Sequence, residues 1–187
     1  MQAAGGSRRT HPGGYYACAM SSERFRPSVT VAAIVERDGR YLLVEEETPE
    51  GLRLNNPAGH LDAGESLLQA VVREALEETA RVFTPVALLG VYMSRFRRPA
   101  RGEDVTYVRF AICGAVGEPE PGRALDTGIL RTLWLTPEEL RACRARHRSP
   151  LVLRCVEDHR AGIRHPLAAL VADASLAEPE IKDGGAG

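Results

Sequence analysis

Three glutamates in the segment Arg73-Glu74-Ala75-Leu76-Glu77-Glu78-Thr79 stand at positions i, i+3 and i+4. On a helix this spacing projects Glu74, Glu77 and Glu78 from one face. Left alone the cluster is unfavourable: each like-charged neighbour pair costs about 0.2–0.5 kcal/mol, and anions near a helix C-terminus oppose the macrodipole by about 0.3–1 kcal/mol. A cation offsets both. Oxygen ligands on a rigid stem suit a hard divalent ion, Mg²⁺ or Mn²⁺, which takes few protein carboxylates and keeps positions for water and phosphate. Arg73 stands next to the cluster, where a charge-assisted bond would fix one carboxylate and leave the others free. For such a segment in isolation, a solvated acidic face is the competing reading.

The surrounding residues bear on that choice. Upstream lies Gly59 to Glu65 (GHLDAGE), a turn with a second glycine that ends in a carboxylate. Ser66 followed by Gln69 is a capping-box pattern, which starts the helix there. Val71, Val72, Ala75 and Thr79 fall within about 60° of Leu68 on a helical wheel, so the spacing predicts a helix over residues 67–79 with that face inward and the carboxylates well away from it.

Elements on either side must hold this helix. Ser28–Glu36 and Arg40–Glu46 are rich in Val, Ile and Leu, with Asp38-Gly39 between them. That dipeptide is a hairpin signal, because both central residues of the favoured turn need positive φ. Strand-like runs return at Val82–Met93, Val105–Val116 and Leu130–Leu135. Thr136 then caps a helix with Pro137 in its first turn, and Ser149-Pro150 opens another. Strands on both sides of a helix, with a further terminal helix, make an α/β fold: an α/β/α sandwich with a mixed central sheet.

Taken together, the turn and helix resemble the Nudix box, G-x5-E-x7-R-E-U-x-E-E-x-G-U with U a bulky apolar residue. Gly59, Glu65, Arg73, Glu74, Glu77 and Glu78 all fall in register. The resemblance implies the Nudix loop-helix-loop catalytic motif. It further implies that Glu74 and Glu78 ligate the metal with the carbonyl of Gly59, that Glu77 ligates a second ion or orients water, and that Glu65 and Arg73 support them. Three positions depart: Ala75 for a larger apolar residue, Ala80 for the last glycine, and Arg81 for the final apolar one. Left-handed geometry costs an L-residue about 1–2 kcal/mol, so the placement of Glu78 turns on how Ala80 ends the helix.

Outside the box, PSVTVAAIVERDGRYLLVEEE, NPAGHLDAGESL, TYVRFAI and RSPLVLRCVEDHRAGIRHPL are similar to bacterial Nudix phosphatases. That similarity implies hydrolysis of nucleoside di- and triphosphates and of hydroxymethylpyrimidine diphosphate, with orthophosphate released. A nucleotide-sugar or dinucleotide pyrophosphatase is the alternative within enzymes, and a non-catalytic nucleotide-binding Nudix domain the alternative outside them. Arg109, in the alternating strand TYVRFAI, is either a phosphate-gripping residue or a surface strand arginine. His60 is either beside the substrate or a hydrogen-bonded structural histidine. Trp134 reads as core. Asp126 and Glu103 are candidates for the general base, and spacing does not choose between them.

Size and charge bound the rest. The 187 residues suffice for one sizeable core, and 24 basic against 25 acidic residues leave a net charge of −1. No basic excess argues for a nucleic acid polymer, so a small phosphorylated molecule is the expected partner. No apolar run approaches the roughly 20 residues of a membrane helix. The expected protein is cytoplasmic, a monomer or homodimer, with residues 1–23 a disordered N-terminal extension, 24–173 the Nudix domain and 174–187 a flexible tail. Met20 is an alternative start to Met1. Cys18, Cys113, Cys143 and Cys155 lack the spacing of a zinc site or disulfide framework and read as buried free thiols.

Overall fold

The computed structural model describes residues 25–98 and 102–178. The predicted N-terminal extension and Cys18 lie outside the described residues. Of the predicted tail, residues 174–178 are described and carry a 3₁₀ turn at Ala174–Leu176. None of the described helices is long and apolar enough to cross a membrane.

Strands β1 (Ser28–Arg37) and β2 (Arg40–Thr48) form the predicted hairpin. Asp38 and Gly39 take φ of 51° and 74°, the paired left-handed geometry that dipeptide favours. The two strands pair antiparallel only at Glu36↔Tyr41 and Arg37↔Arg40. Beyond the turn they part. β1 continues parallel to β6 (Glu103–Val116) and antiparallel to β4 (Ala58–His60), whereas β2 pairs with β3 (Gly51–Asn55) and β7 (Ile129–Leu135). β5 (Phe83–Arg98) closes the far edge against β6, giving the order β3-β2-β1-β6-β5 with β4 and β7 as branches.

Helices cover both faces. The helix α1 (Leu67–Thr79) packs Ala70, Val71 and Ala75 against Val31, Ala33, Leu42 and Ile112. On the other face α2 (Pro137–Ala142) and α3 (Leu151–Arg160) place Leu140, Val152, Cys155 and Val156 against Ala32, Ile34, Leu43 and Ala111. Alternate residues of β1 thus feed two cores, which is why it reads as a continuous apolar run. The result is the expected α/β/α sandwich with a mixed sheet.

Two strands escape sequence reading. β3 is five residues and β4 three, too short for a period to register, and Pro57 separates them. The β5–β6 pair also runs past the predicted bounds, to Arg98 and from Glu103. Glu103 therefore opens a strand, and it is paired with Arg98 at 2.7 Å. Cys113 and Cys155 are buried free thiols as expected, but Cys143 is only half-buried.

Candidate active site

Helix α1 is fixed at both ends. Ser66 Oγ accepts from the Gln69 backbone N–H at 3.2 Å while Gln69 Oε1 accepts from the Ser66 N–H at 2.8 Å, completing the capping box. At the far end Ala80 takes the left-handed conformation, φ 53° and ψ 27°, and its N–H reaches the Leu76 carbonyl. An alanine thus occupies the geometry usually left to glycine. Arg81, where the box has an apolar residue, places its guanidinium 6.0 Å from the Trp134 ring centre and donates to the Gly117 carbonyl at 2.8 Å. Trp134 is only half-buried. It packs against the core beneath α1, as expected, and Arg37 also stands over its ring, 5.2 Å from the centre.

Arg73 is the hub of the predicted motif, and all five of its N–H donors are used. Nε and Nη2 grip Glu65 at 3.0 and 2.7 Å, Nη2 also donates to the His60 carbonyl at 3.0 Å, and Nη1 bridges Glu74 at 2.8 Å and Glu77 at 3.0 Å. Glu65 in turn accepts from the Asp62 N–H at 2.7 Å, tying the turn to the helix. The bidentate Arg73 holds the Glu65 carboxyl below the usual range.

Glu74 and Glu78 correct one expectation. They do not lie well away from the packed face; both are buried, each 9% exposed, beside Ala75 and Thr79. Three residues of β4 explain how. The Ala58 N–H donates to Glu78 Oε2 at 2.8 Å, and a Cβ built on Gly59 would fall inside the Glu74 carboxylate. Glycine at 59 is therefore required for space. Burial raises both carboxyls, Glu78 to about 8, with Glu74, Glu46 and Asp126 adding to the rise. Glu77 sits further out, in contact with Arg73.

Elementary electrostatics says that such a pair, two buried carboxylates destabilised by burial and by each other, is stabilised by a cation. No three His, Cys, Asp or Glu among the described residues converge into a closed cage. Magnesium does not require one, since it takes one or two carboxylates and keeps its waters. The all-oxygen donor set, the glycine cradle and the buried pair fit a hard divalent cation.

Beside this pair, the strands that part after the β1–β2 hairpin bring Glu46 and Arg109 within range to interact electrostatically with Glu78. Arg109 of β6 is not a surface arginine: it is 9% exposed, and among the described residues its guanidinium makes no hydrogen bond or ion pair, with Nη1 fully buried. Glu46 and Glu78 are close enough to favour its charge, against which burial works. Thr30 lies opposite Arg109 across β1–β6, and Glu46 and Asn55 come from β2 and β3. Sequence reasoning missed Thr30, Glu46 and Asn55. Glu46 sits in a run of three glutamates, which carries no alternation to single it out: Glu45 is buried under Arg131 and Arg146, Glu46 is half-buried and Glu47 exposed.

The remaining candidates are placed as follows. His60 is exposed, its ring tilted over Tyr107 at 6.3 Å, and its backbone carbonyl is what serves Arg73. The backbone N–H of Asp126 donates to the Glu77 carbonyl at 2.9 Å, and its charge reaches Glu78. Glu103 is engaged with Arg98, which also pairs with Glu50 at 2.6 Å. The geometry brings Asp126, not Glu103, to the carboxylate cluster.

The family model for the NUDIX domain matches residues 24–155. The chain belongs to the Nudix family. It is a Nudix phosphohydrolase, similar to Phosphatase NudJ of Escherichia coli (strain K12), with 32% identity over 143 residues, which is 76% of this chain and 90% of that protein. Among solved structures it is similar to a NUDIX hydrolase from Nitrosomonas europaea, with 49% identity, TM-score 0.72, and coverage of 79% of this chain and 98% of that one. A MutT NUDIX hydrolase from Burkholderia pseudomallei is similar at 25% identity and TM-score 0.57, over 72% and 98% of the two chains. Nudix hydrolases act on small phosphorylated molecules and generally use divalent metal ions.

Proposed function

We propose that this Nudix hydrolase cleaves the terminal phosphoanhydride of nucleoside di- and triphosphates and of small pyrimidine diphosphates of the hydroxymethylpyrimidine type, releasing orthophosphate. The observation that carries the reading is the buried, mutually repelling Glu74–Glu78 pair facing the unpaired Arg109 guanidinium. Cation and anion sites so close together suit a metal-bound phosphate. The similarity to Phosphatase NudJ, which spans most of both chains, supports orthophosphate as product.

Glu74 and Glu78, with the Gly59 carbonyl, would hold Mg²⁺, for which Mn²⁺ substitutes. The bound ion supplies charge neutralisation on phosphate and a lowered pKa for water. Glu77 orients water or takes a second ion, and Arg73 with Glu65 keeps the carboxylates in place. Arg109 grips the phosphate being transferred, and His60 borders the substrate. Asp126 is the candidate to take the proton of the attacking water, through its position beside the α1 C-terminus.

The test is a panel of hydroxymethylpyrimidine diphosphate, the common nucleoside di- and triphosphates, ADP-ribose and a diadenosine polyphosphate, with phosphate and pyrophosphate measured separately. Activity should vanish with chelator and return with Mg²⁺ or Mn²⁺. Glu74→Gln and Glu78→Gln should each lower turnover by orders of magnitude. A tenfold preference for ADP-ribose or the dinucleotide, or pyrophosphate as the product from triphosphates, overturns the substrate reading; full activity in excess chelator overturns the metal reading.

A further inference from the structure

Three oxygens near Arg109 are buried with no hydrogen bond among the described residues: Thr30 Oγ1, Glu46 Oε1, which has only the ion-pair contact of Arg148, and Asn55 Oδ1; Arg109 Nη1 is the unpaired donor beside them. They share one neighbourhood. Thr30 and Arg109 are cross-strand partners, so their side chains share a face of the sheet. Val44 pairs with Asn55 and Glu46 with Arg53, which puts Glu46 and Asn55 on one face as diagonal neighbours. Glu46 and Arg109 interact electrostatically; burial raises the Glu46 carboxyl, and Arg148, Arg109 and Asn55 act against that rise.

Each unmet buried acceptor costs about 1–3 kcal/mol, so three in one neighbourhood select a ligand that brings donors. A second free cation is disfavoured, because Arg109 faces the group and Arg148 stands 3.9 Å from Glu46 Oε1. Arg109 serves the phosphate in the proposed function, but an anion seated among the three oxygens themselves would meet acceptors, with only the Thr30 hydroxyl able to donate. What remains is a neutral donor. Acceptors that include a carboxylate call for at least two hydrogens in one place, which an –NH₂ group supplies from a single nitrogen and a hydroxyl does not.

We infer that Thr30, Glu46 and Asn55 recognise the exocyclic amino group of the substrate's heterocycle, so that the enzyme selects amino bases over their keto counterparts. This deepens the proposed function and rests on it for the phosphate end of the ligand. Cytosine against uracil is the minimal comparison, since the amino group of one is a carbonyl oxygen in the other. An ionised Glu46 only accepts, so it repels the keto oxygen; a glutamine in its place offers both a donor and an acceptor.

The experiment measures kcat/KM for CTP, UTP and dCTP with Mg²⁺ on the wild-type chain, Glu46→Gln and Thr30→Val. Alongside it, equilibrium binding of CMP and UMP is measured by calorimetry without metal. The expected wild-type preference for CTP over UTP is about tenfold or more, with the same preference in binding. In Glu46→Gln the ratio should fall toward one, and in Thr30→Val it should fall severalfold. General structural damage would lower both substrates alike and leave the ratio in place. Equal wild-type values for CTP and UTP, or an unchanged ratio in both variants, overturn the inference, as does a loss confined to dCTP, which would assign the acceptors to the sugar. Should no compound release phosphate while CMP still outbinds UMP in a Glu46-dependent way, the proposed reaction fails and the amino-group site stands.

Discussion

Gly59 and Glu74 occupy what would otherwise be the same space: the Glu74 carboxylate fills the volume a side chain at 59 would need. Gly59→Ala must therefore push the helix carboxylate out of its cradle or move β4. The expected outcome is a loss of turnover of at least tenfold, together with a lower thermal midpoint corresponding to about 1–3 kcal/mol, the usual cost of overpacking. Activity assays and thermal unfolding of the purified variant check both, and a variant of unchanged turnover and midpoint would mean that the cradle does not constrain Glu74.

The buried Glu78 predicts an inverted pH dependence of stability for the metal-free enzyme. Unfolded, Glu78 ionises near pH 4.3; folded, it ionises near 8. The folded state therefore binds more protons between these values, and stability falls as pH rises from about 4.5 to 8, then levels. The loss is on the order of a few kcal/mol. Thermal midpoints in chelator from pH 5 to 8.5 should decline, and Glu78→Gln should decline less steeply. Equal slopes for the two proteins would show that Glu78 is not the group responsible. Mg²⁺ added at pH 8 should restore the midpoint of the wild type more than that of the variant.

Arg109 is a buried guanidinium without a hydrogen bond or ion pair among the described residues, so it adds little to folding. Replacing it with methionine, similar in length and apolar, should leave the thermal midpoint unchanged or raised, since uncompensated burial of charge is unfavourable. The same change should raise KM, lower kcat, or both. A large drop in midpoint would instead make Arg109 a structural residue, and unchanged kinetics would remove it from the phosphate site.

Ala80 offers a test in the opposite direction. It adopts φ 53° at the end of α1, where glycine carries no penalty. Ala80→Gly should stabilise the folded protein by about 1 kcal/mol, partly offset by the greater freedom of glycine in the unfolded chain. Because Glu78 lies in the last turn before it, a stabilised variant should keep wild-type turnover. Denaturant unfolding and a phosphate-release assay check the pair of outcomes, and a destabilised variant would contradict the left-handed end of this helix.

Local signals carried much of this molecule. Ser66 with Gln69 marked the start of α1, Asp38-Gly39 marked the β1–β2 turn, and Thr136 with Pro137 marked the start of α2. Each works through atoms within a few residues of one another, so the sequence contains the whole interaction. The spacing of Gly59, Glu65, Arg73, Glu74, Glu77 and Glu78 was legible for the same reason, being set by one turn and one helix.

Tertiary structure alone decided the burial of Glu74 and Glu78. On a helical wheel Glu78 lies about 20° and Glu74 about 60° from Val71, at the edge of the apolar stripe, so the helix alone leaves their burial open. Strand β4, three residues long and held against β1, packs over them. It alone decided the grouping of Thr30, Glu46, Asn55 and Arg109 as well. Those residues come from four strands, and they converge because β1 and β2 share just two paired positions before parting toward different partners. A lone polar residue in a strand has no local partner to reveal its role. Its meaning comes from which strands become neighbours, and that is set by the burial of two separate cores on the faces of one sheet.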